Sequence, residues 1–336
     1  MTEQHLRLNL PTPLERLAID GLRSELWLKQ DGLTHDVYGG NKARKAALLL
    51  EHAAQVGARR VLTFGAAGSH HVLAMTLLAP NFGLRVAAVL LPQPATAHAK
   101  AVLARSLEAG LEAYPARSLL AASWTTARAH QRGDYVIPPG GSNARGALAH
   151  ARAIFELEAQ IDARLLPAPD WIVVPLGSGG TAAGLLAGLS LSALPTRLLA
   201  VSVVSNPIAA AHVRFLANRT LRLHPDRKPD GAWQQRLVVD ASQVGRGYGW
   251  ATPSGERASE VAARVGLSLD PTYTAKAFAS ALDLAQGELG SIARPARVLY
   301  WHTLSVAAGG SAPSSPLPPE LERLFITGGS SRSAGS

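Results

Sequence analysis

From about residue 46 the chain alternates between helix-length segments rich in alanine, leucine and arginine and short apolar runs. This alternation is typical of βα units that build a mostly parallel sheet. Residues 44–56 predict one helix, and residues 171–176 predict a buried strand that continues through a turn at 177–181 into a helix from Ala182. The pattern therefore predicts an α/β fold.

Other segments depart from this regular pattern. A domain crossing is expected near residues 135–143, before a long amphipathic helix that begins at about Ala147. Residues 206–250 have weak periodicity and contain proline, asparagine and glycine, which predicts loops and a short helix. The C-terminal end is rich in serine, proline and glycine, so we expect residues 328–336 to be mobile.

Composition excludes several classes of protein. The 336 residues include no cysteine, which excludes a disulfide framework, a zinc-thiolate site, an iron–sulfur cluster and a cysteine nucleophile. The net charge of +9 comes from scattered basic residues, and an aromatic content of 5% leaves little for base stacking, so we expect no nucleic-acid partner. The sequence has no apolar run typical of a signal peptide or a membrane span, which predicts a cytoplasmic protein without a membrane partner.

A glycine-rich turn follows the strand at residues 171–176 and precedes a helix. Backbone N–H groups and the helix dipole converge at such a turn, which suits an anion such as phosphate. No Gly-Lys-Ser/Thr sequence follows, and Ala182 replaces the third glycine of a dinucleotide fingerprint. A tight turn without a ligand is the alternative. The residues of this turn are Gly177, Ser178, Gly179, Gly180 and Thr181.

A second glycine motif places Lys42 at the beginning of a helix. Desolvation and nearby positive potential would lower the pKa of this amine toward the range useful for Schiff-base chemistry. A solvated lysine at a helix start is the alternative, and Lys42 is one of six lysines.

Adjacent polar residues at 69–71 stand at another predicted helix start. Ser69, His70 and His71 suit a carboxylate or a cofactor oxygen there. We expect no metal site, because neighbouring helical side chains point in different directions and no His-Glu-x-x-His pattern is present. A capping Ser69 with a packed His71 is the alternative.

Two tyrosines and a strand end complete the candidate residues. Tyr248 and Tyr273 each stand beside turn-forming residues, where a hydroxyl can move protons or bind a carboxylate. Packing roles are the alternative for both. Residues 298–303 predict a buried strand ending at Thr303, and ligands of α/β sheets gather at such strand ends.

Taken together, six motifs in this order resemble the D-cysteine desulfhydrase/1-aminocyclopropane-1-carboxylate (ACC) deaminase family. The similarity extends from about residue 8 to residue 303. The motifs are Gly39-Gly-Asn-Lys42-x-Arg-Lys, Gly65-x-x-x-Ser69-x-His71, Tyr135-Val-Ile-Pro-x-Gly-Gly-Ser-Asn143, Gly177-Ser-Gly-Gly-Thr181, Gly247-Tyr-Gly and Asp270-Pro-x-Tyr273-Thr274.

The resemblance implies a two-domain tryptophan-synthase-β-like fold, fold type II of the pyridoxal-phosphate (PLP) enzymes. Residues 1–45 and 148–327 would form the large PLP-binding domain, and residues 46–147 a smaller inserted α/β domain. PLP would lie in the cleft between them. The resemblance also implies a small amino-acid substrate and a homodimer.

Site roles follow from the same resemblance. Lys42 is similar to the Schiff-base lysine, and the turn at 177–181 to the cradle of the cofactor phosphate. Ser69 resembles a serine near the substrate, a candidate nucleophile in ACC ring opening. Tyr248 and Tyr273 resemble active-site tyrosines. Thr303 stands where a residue near the pyridine nitrogen is expected.

The family pattern favours a D-cysteine desulfhydrase-like reaction that yields pyruvate, sulfide and ammonia. Thr274 favours this reaction, because the ring-opening deaminases typically have glutamate there; ACC deaminase is the second choice. His70 replaces the asparagine expected to contact the ring hydroxyl, and Leu304 and Ser305 replace two glycines. These departures leave open a different small amino acid, or a PLP-binding protein with little catalysis.

Overall fold

A computed structural model describes residues 6–224, 228–289, 296–308 and 316–326. The predicted mobile tail at 328–336 lies outside these residues. Strands and helices alternate along most of the chain, as the periodicity predicts. The strands are β1 (Leu14–Arg16), β2 (Leu26–Gln30), β3 (Arg60–Ala66), β4 (Arg85–Leu91), β5 (Gln93–Pro94), β6 (Glu112–Pro115), β7 (Asp134–Val136), β8 (Trp171–Leu176), β9 (Arg197–Ser202), β10 (Leu237–Asp240), β11 (Val298–His302) and β12 (Phe325–Ile326).

The helices lie between these strands and carry the remaining regular structure. None of those within the described residues is long and apolar enough to cross a membrane. The helices are α1 (Gly40–Gln55), α2 (His70–Leu78), α3 (Ala97–Glu108), α4 (Leu119–Ala129), α5 (Ala144–Asp162), α6 (Gly180–Leu191), α7 (Ala209–Leu221), α8 (Pro253–Arg264), α9 (Thr274–Gln286) and α10 (Pro319–Glu322).

Two sheets of six and four strands organise the molecule, and β12 pairs with β5 in a third sheet of two strands. The larger has the strand order β1-β2-β11-β8-β9-β10 and is parallel except at β1, while the smaller has the parallel order β6-β4-β3-β7. These parallel sheets with flanking helices confirm the predicted fold class. The small sheet is formed only by strands between residues 60 and 136. We keep 46–147 as the proposed limits of the inserted domain.

Helices cover both faces of the large sheet. Ile172 and Val174 of β8 pack with residues of α5, α6 and α7, whereas Trp171 and Val173 pack with residues of α8 and α9. Because successive side chains of a strand point to opposite faces, a strand covered on both faces must be apolar throughout. This explains the continuous apolar run at 171–176.

The structure corrects the interpretation of residues 206–250. This segment contains a helix of 13 residues, α7, and an edge strand of the large sheet, β10. Helix α7 has no side-chain N-cap, and its Phe215 is exposed, so its apolar pattern is weak. Three of the four residues of β10 are only half-buried. Their periodicity is therefore too faint to predict.

Candidate active site

A cavity of about 590 Å³ opens where strands of both sheets end. Loops after β3, β4, β8, β9 and β11 contribute to its walls, as expected for ligand sites at the carboxyl ends of parallel strands. The structure brings every predicted site residue to this one cavity. Those lining it are Lys42, Ser69, His70, Gly177, Ser178, Gly179, Gly180, Thr181, Tyr248, Tyr273 and Thr303.

Close contact with the end of β11 positions Lys42. Gly40 begins α1 with φ +78°, a conformation that favours glycine, and an added Cβ there would collide with the Thr303 carbonyl oxygen. The backbone N–H of Asn41 donates to that same oxygen at 3.3 Å. The Lys42 Nζ atom then reaches the cavity and donates to Asn41 Oδ1 at 3.1 Å.

Burial lowers the pKa of Lys42 to about 8, although the carboxylate of Asp270 acts in the opposite direction. We expected nearby positive potential to assist burial. Asp270, however, lines the cavity as a buried acid. Since an ordinary lysine has a pKa near 10.5, Lys42 holds a much larger neutral fraction near pH 7. A neutral amine is the form that reacts with a carbonyl group.

The glycine-rich turn after β8 also lines the cavity, next to the start of α1. Helix α6 begins at Gly180, two residues earlier than predicted. The N–H groups of its first turn have no partner within the helix and are free to bind other groups. Gly179 has φ +88°. The N–H of Gly180 donates to Ser142 Oγ at 3.1 Å, and Ser142 shares a 2.7 Å hydrogen bond with Ser178. Hydroxyl and backbone N–H donors therefore converge at one helix start.

Lys45 brings a buried amine to this turn. Its Nζ atom donates to the carbonyl of Gly140 at 3.1 Å and lies 2.9 Å from where a Cβ on Gly180 would stand. No carboxylate forms an ion pair with it within the described ranges. Burial, with help from Lys42, lowers its pKa well below the ordinary value. An anionic phosphate would supply the missing counter-charge, so these residues fit the phosphate of PLP.

Sequence reasoning gave Lys45 and Ser142 no role. Both belong to motifs that were recognised, Gly39–Lys45 and Tyr135–Asn143. The spacing of Lys42 and Lys45, three residues apart on one helix, was the available signal, because such residues share a helix face.

Two tyrosines meet beside Lys42. Tyr273 Oη donates to Tyr248 Oη at 3.1 Å, and Lys42 Nζ lies 5.8 Å from the centre of the Tyr273 ring. Burial raises the pKa of both hydroxyls, so both keep their protons at neutral pH. Lys276 Nζ holds the loop of Tyr248 by donating to the carbonyls of Val244 and Gly247 at 3.0 and 3.3 Å.

Asp270 orients the start of α9. Its Oδ1 accepts from the backbone N–H groups of Thr272 and Tyr273 at 3.0 and 2.8 Å. Its Oδ2 accepts from the Thr274 N–H at 3.1 Å and from the Thr274 hydroxyl at 2.6 Å. The carboxylate therefore fixes the backbone that carries Tyr273, a role that the sequence alone did not reveal.

The residues at 69–71 divide their roles. Ser69 caps α2 by accepting the Val72 N–H at 3.4 Å, and its hydroxyl also lines the cavity. His71 Nε2 shares a 2.9 Å hydrogen bond with Thr63 Oγ1, while its buried Nδ1 has no partner among the described residues. Ser69 therefore caps the helix and His71 packs in the interior, as the structural alternative predicts, and both residues also line the cavity.

Leu304 and Ser305, which depart from the family pattern, hold the lysine loop. Ser305 Oγ accepts the buried N–H of Gly39 at 2.9 Å. Leu304 packs against a small cluster that contains Tyr38. The two residues therefore hold the loop before Lys42, and both also line the cavity.

A buried lysine beside a glycine-rich turn that suits a phosphate, in a cavity where two mainly parallel sheets end, is the arrangement expected of a PLP enzyme of fold type II. A family model described as pyridoxal-phosphate dependent enzyme matches residues 6–303. The chain belongs to this family, and PLP is the family's cofactor. The match confirms the cofactor predicted from the sequence.

Individual relatives show which members of this family the chain is similar to. Nocardicin C-9' epimerase of Nocardia uniformis subsp. tsuyamanensis is 34% identical, over 93% of this chain and 96% of that protein. D-cysteine desulfhydrase of Klebsiella pneumoniae subsp. pneumoniae is 32% identical, over 81% and 85% of the two chains. The crystal structure of an ACC deaminase homologue has a TM-score of 0.73 and 29% identity, covering 94% of each chain. These relatives confirm the resemblance to the desulfhydrase and deaminase group.

Proposed function

We propose that this enzyme is a PLP-dependent lyase acting on a small amino acid, with D-cysteine desulfhydrase-like chemistry. The observation that carries the proposal is the position of Lys42 Nζ, 5.8 Å from the centre of the Tyr273 ring. The hydroxyl of Tyr273 in turn donates a hydrogen bond to the hydroxyl of Tyr248. A base and a protonated acid pair therefore share one cavity. An elimination that removes a proton and expels a leaving group requires both.

The cofactor would be held at two points. Lys42 supplies the amine, and Lys45 with the turn at 177–181 binds the phosphate. PLP bound there stores the electron pair that remains when a proton leaves the substrate carbon. Thr303 was predicted to lie near the pyridine nitrogen, and this prediction stands as part of the proposal. His70 was predicted to contact the ring hydroxyl; it lines the cavity, but both of its ring nitrogens already share hydrogen bonds with Tyr38 and His98.

The chain's own residues have distinct tasks in this reaction. Ser69 and the backbone N–H groups at the start of α2 bind the substrate carboxylate, because a helix N-terminus attracts negative charge. Lys42 Nζ takes the proton from the α carbon. Tyr273 Oη gives a proton to the departing sulfur and regains one through Tyr248. One water is consumed when the carbon–nitrogen bond is hydrolysed, and the products are pyruvate, sulfide and ammonia.

Thr274 supports this choice over ACC ring opening. Its hydroxyl donates to Asp270 Oδ2 at 2.6 Å, and its side chain is buried outside the cavity lining. It therefore presents no carboxylate to a substrate, unlike the glutamate expected of ring-opening deaminases. ACC deaminase-like formation of 2-oxobutanoate and ammonia remains the alternative.

The epimerase relative favours one further candidate, inversion of an amino-acid carbon. Inversion needs a proton acceptor on one face of the carbon and a donor on the other. Lys42 and Tyr273 would fill these roles. The same two residues therefore serve either reaction. Loss of the β substituent identifies elimination, and its retention identifies inversion.

A substrate panel tests the proposal. Purified enzyme with PLP is incubated with D- and L-cysteine, other D- and L-amino acids and ACC in heavy water. We expect pyruvate and sulfide from D-cysteine, and none with Lys42→Ala; Lys228→Ala, which changes an exposed lysine, serves as the control. Deuterium incorporation with inverted configuration and no keto acid would favour epimerisation. Bound PLP without any product would instead support a diverged binding protein.

The homodimer and the cytoplasmic location are also proposals. Light scattering of the holoenzyme measures its molar mass and so tests the homodimer. A mass equal to one chain would contradict it.

A further inference from the structure

Three side chains from separate elements form a continuous hydrogen-bonded chain. Tyr38 Oη and His70 Nδ1 share a hydrogen bond of 2.6 Å. The other ring nitrogen of His70, Nε2, shares one of 2.8 Å with His98 Nε2. Both ring nitrogens of His70 are therefore engaged, one by each neighbour. This arrangement depends on a histidine, whose two ring nitrogens can receive a proton at one side and release one at the other. The asparagine of the family pattern has no ring and cannot do this.

The chain leads out of the cavity. Tyr38 and His70 line it, and Tyr38 is only 1% exposed. His98 belongs to the first turn of α3, is half-buried and lies outside the cavity lining. The three residues therefore connect the reaction space to the side of the molecule where α3 meets solvent.

The charge state of His70 suits proton passage. A neutral imidazole accepts a hydrogen bond at one nitrogen and donates at the other, whereas an imidazolium only donates. Burial lowers the pKa of His70; the charges that face it are Asp270, which raises the pKa, and His98, Lys42 and Arg105, which lower it. His70 is therefore neutral near pH 7.

We propose that Tyr38, His70 and His98 form a proton relay that links the cavity to solvent. The relay serves the chemistry proposed above and rests on it. In the inward direction Tyr38 Oη gives its proton to an acceptor in the cavity and takes one from His70 Nδ1. His70 Nε2 is then reprotonated by His98 Nε2, and His98 regains a proton from water. Each residue gives one proton and receives one, so no charge remains on the chain, and the His70 ring ends in its other neutral tautomer.

The relay answers a need of the elimination. The methyl group of pyruvate carries a hydrogen that is absent from the β carbon of cysteine, and that hydrogen must come from solvent or from an exchanging side chain. Substrate filling the cavity limits direct access of water. A hydrogen-bonded path through the wall allows exchange while the cavity is occupied.

Nuclear magnetic resonance of the apoenzyme tests the relay without substrate. Nitrogen-15 spectra report the tautomer of each histidine ring. Tyr38→Phe removes one hydroxyl that has no hydrogen bond to His98. We expect it to shift the His98 ring nitrogens, because the tautomers are coupled through His70. Unchanged His98 signals would overturn the relay, even if the enzyme makes pyruvate.

Kinetics of the holoenzyme give the second readout. For His98→Ala we expect a kcat at least tenfold lower, a changed solvent isotope effect and partial rescue by added imidazole. His130→Ala, at an exposed position after α4, is the matched control. A slow variant without rescue and with an unchanged isotope effect would show a structural role. Because His98 is half-buried, we expect the His98→Ala variant to fold, so that its kinetics test the relay. Absence of product from every substrate would instead count against the proposed function.

Discussion

The side-chain amide of Asn41 donates a 2.9 Å hydrogen bond to Thr181 Oγ1, although the two residues are 140 positions apart. Asn41 Oδ1 also accepts from Lys42 Nζ. One amide therefore joins the lysine and the turn that we propose bind the two ends of the cofactor. The two proposed attachment points of PLP are fixed relative to each other before the cofactor binds, which lowers the cost of binding.

The pKa of Lys42 predicts how fast the apoenzyme takes up PLP. Only the neutral amine reacts with the cofactor's aldehyde, and burial brings the pKa of Lys42 to about 8. The rate of appearance of the visible absorbance of lysine-bound PLP should therefore rise with pH and level off above about pH 8. A free alkylamine in the same buffers gives the reference for an amine of ordinary pKa and for PLP's own titration. A Lys42 rate that rises in parallel with this reference up to pH 10 contradicts the lowered pKa.

Gly180→Ala should weaken cofactor binding. An added Cβ would lie 2.6 Å from Ser142 Oγ and 2.9 Å from Lys45 Nζ, so both phosphate ligands must move. We expect the Kd for PLP to rise at least ~10-fold, or about 1.4 kcal/mol. Gly231→Ala is the control, because nothing lies within 4 Å of its Cβ position. Fluorescence titration of both apoenzymes measures the difference, and equal Kd values would remove Gly180 from the cradle.

Lys45→Met should weaken the binding of PLP and stabilise the folded apoenzyme. Burial holds the pKa of Lys45 well below its unfolded value, so folding disfavours the charged form of this amine. Since the unfolded state binds the extra proton, this cost shrinks as pH rises. Methionine removes the cost, and we expect the apoenzyme to gain about 1 kcal/mol while PLP binds at least ~10-fold more weakly. Urea unfolding and titration measure the two effects; unchanged affinity contradicts the phosphate role.

Glu156 should account for part of the acid sensitivity of the fold. Burial opposes its ionisation, but hydrogen bonds and charge from Arg44, together with Lys29, outweigh burial and lower its pKa to about 2. Its stabilisation is therefore complete above the unfolded pKa of 4.5 and is lost as pH falls toward 2.

Glu156→Gln should lower the free energy of unfolding by about 3 kcal/mol at pH 7, because Arg44 and Lys29 lose a buried partner. It should also flatten the pH dependence between 2 and 4.5. Glu260→Gln, at an exposed position on α8, is the control. Denaturant titrations at several pH values measure both effects, and parallel pH profiles for wild type and Glu156→Gln would refute the assignment.

Periodicity predicted the βα units and the continuous apolar strand β8, because burial on both faces leaves a strong pattern in the sequence. It missed β10 and underestimated α7, whose burial is partial. The glycine motifs located Lys42 and the cradle, since tight turns require glycine. The chain of Tyr38, His70 and His98 could not be predicted, because it depends on how α2 and α3 pack.

The attachment of PLP to Lys42 is the central claim, and locating the cofactor on the chain tests it most directly. The holoenzyme is reduced with borohydride, digested and analysed by tandem mass spectrometry, which identifies the lysine that carries the reduced cofactor. We predict a single modified residue, Lys42, with Lys45 and Lys276 unmodified although both are buried. A modification at Lys45 or Lys276, or a cofactor that is not retained after reduction, would contradict the account.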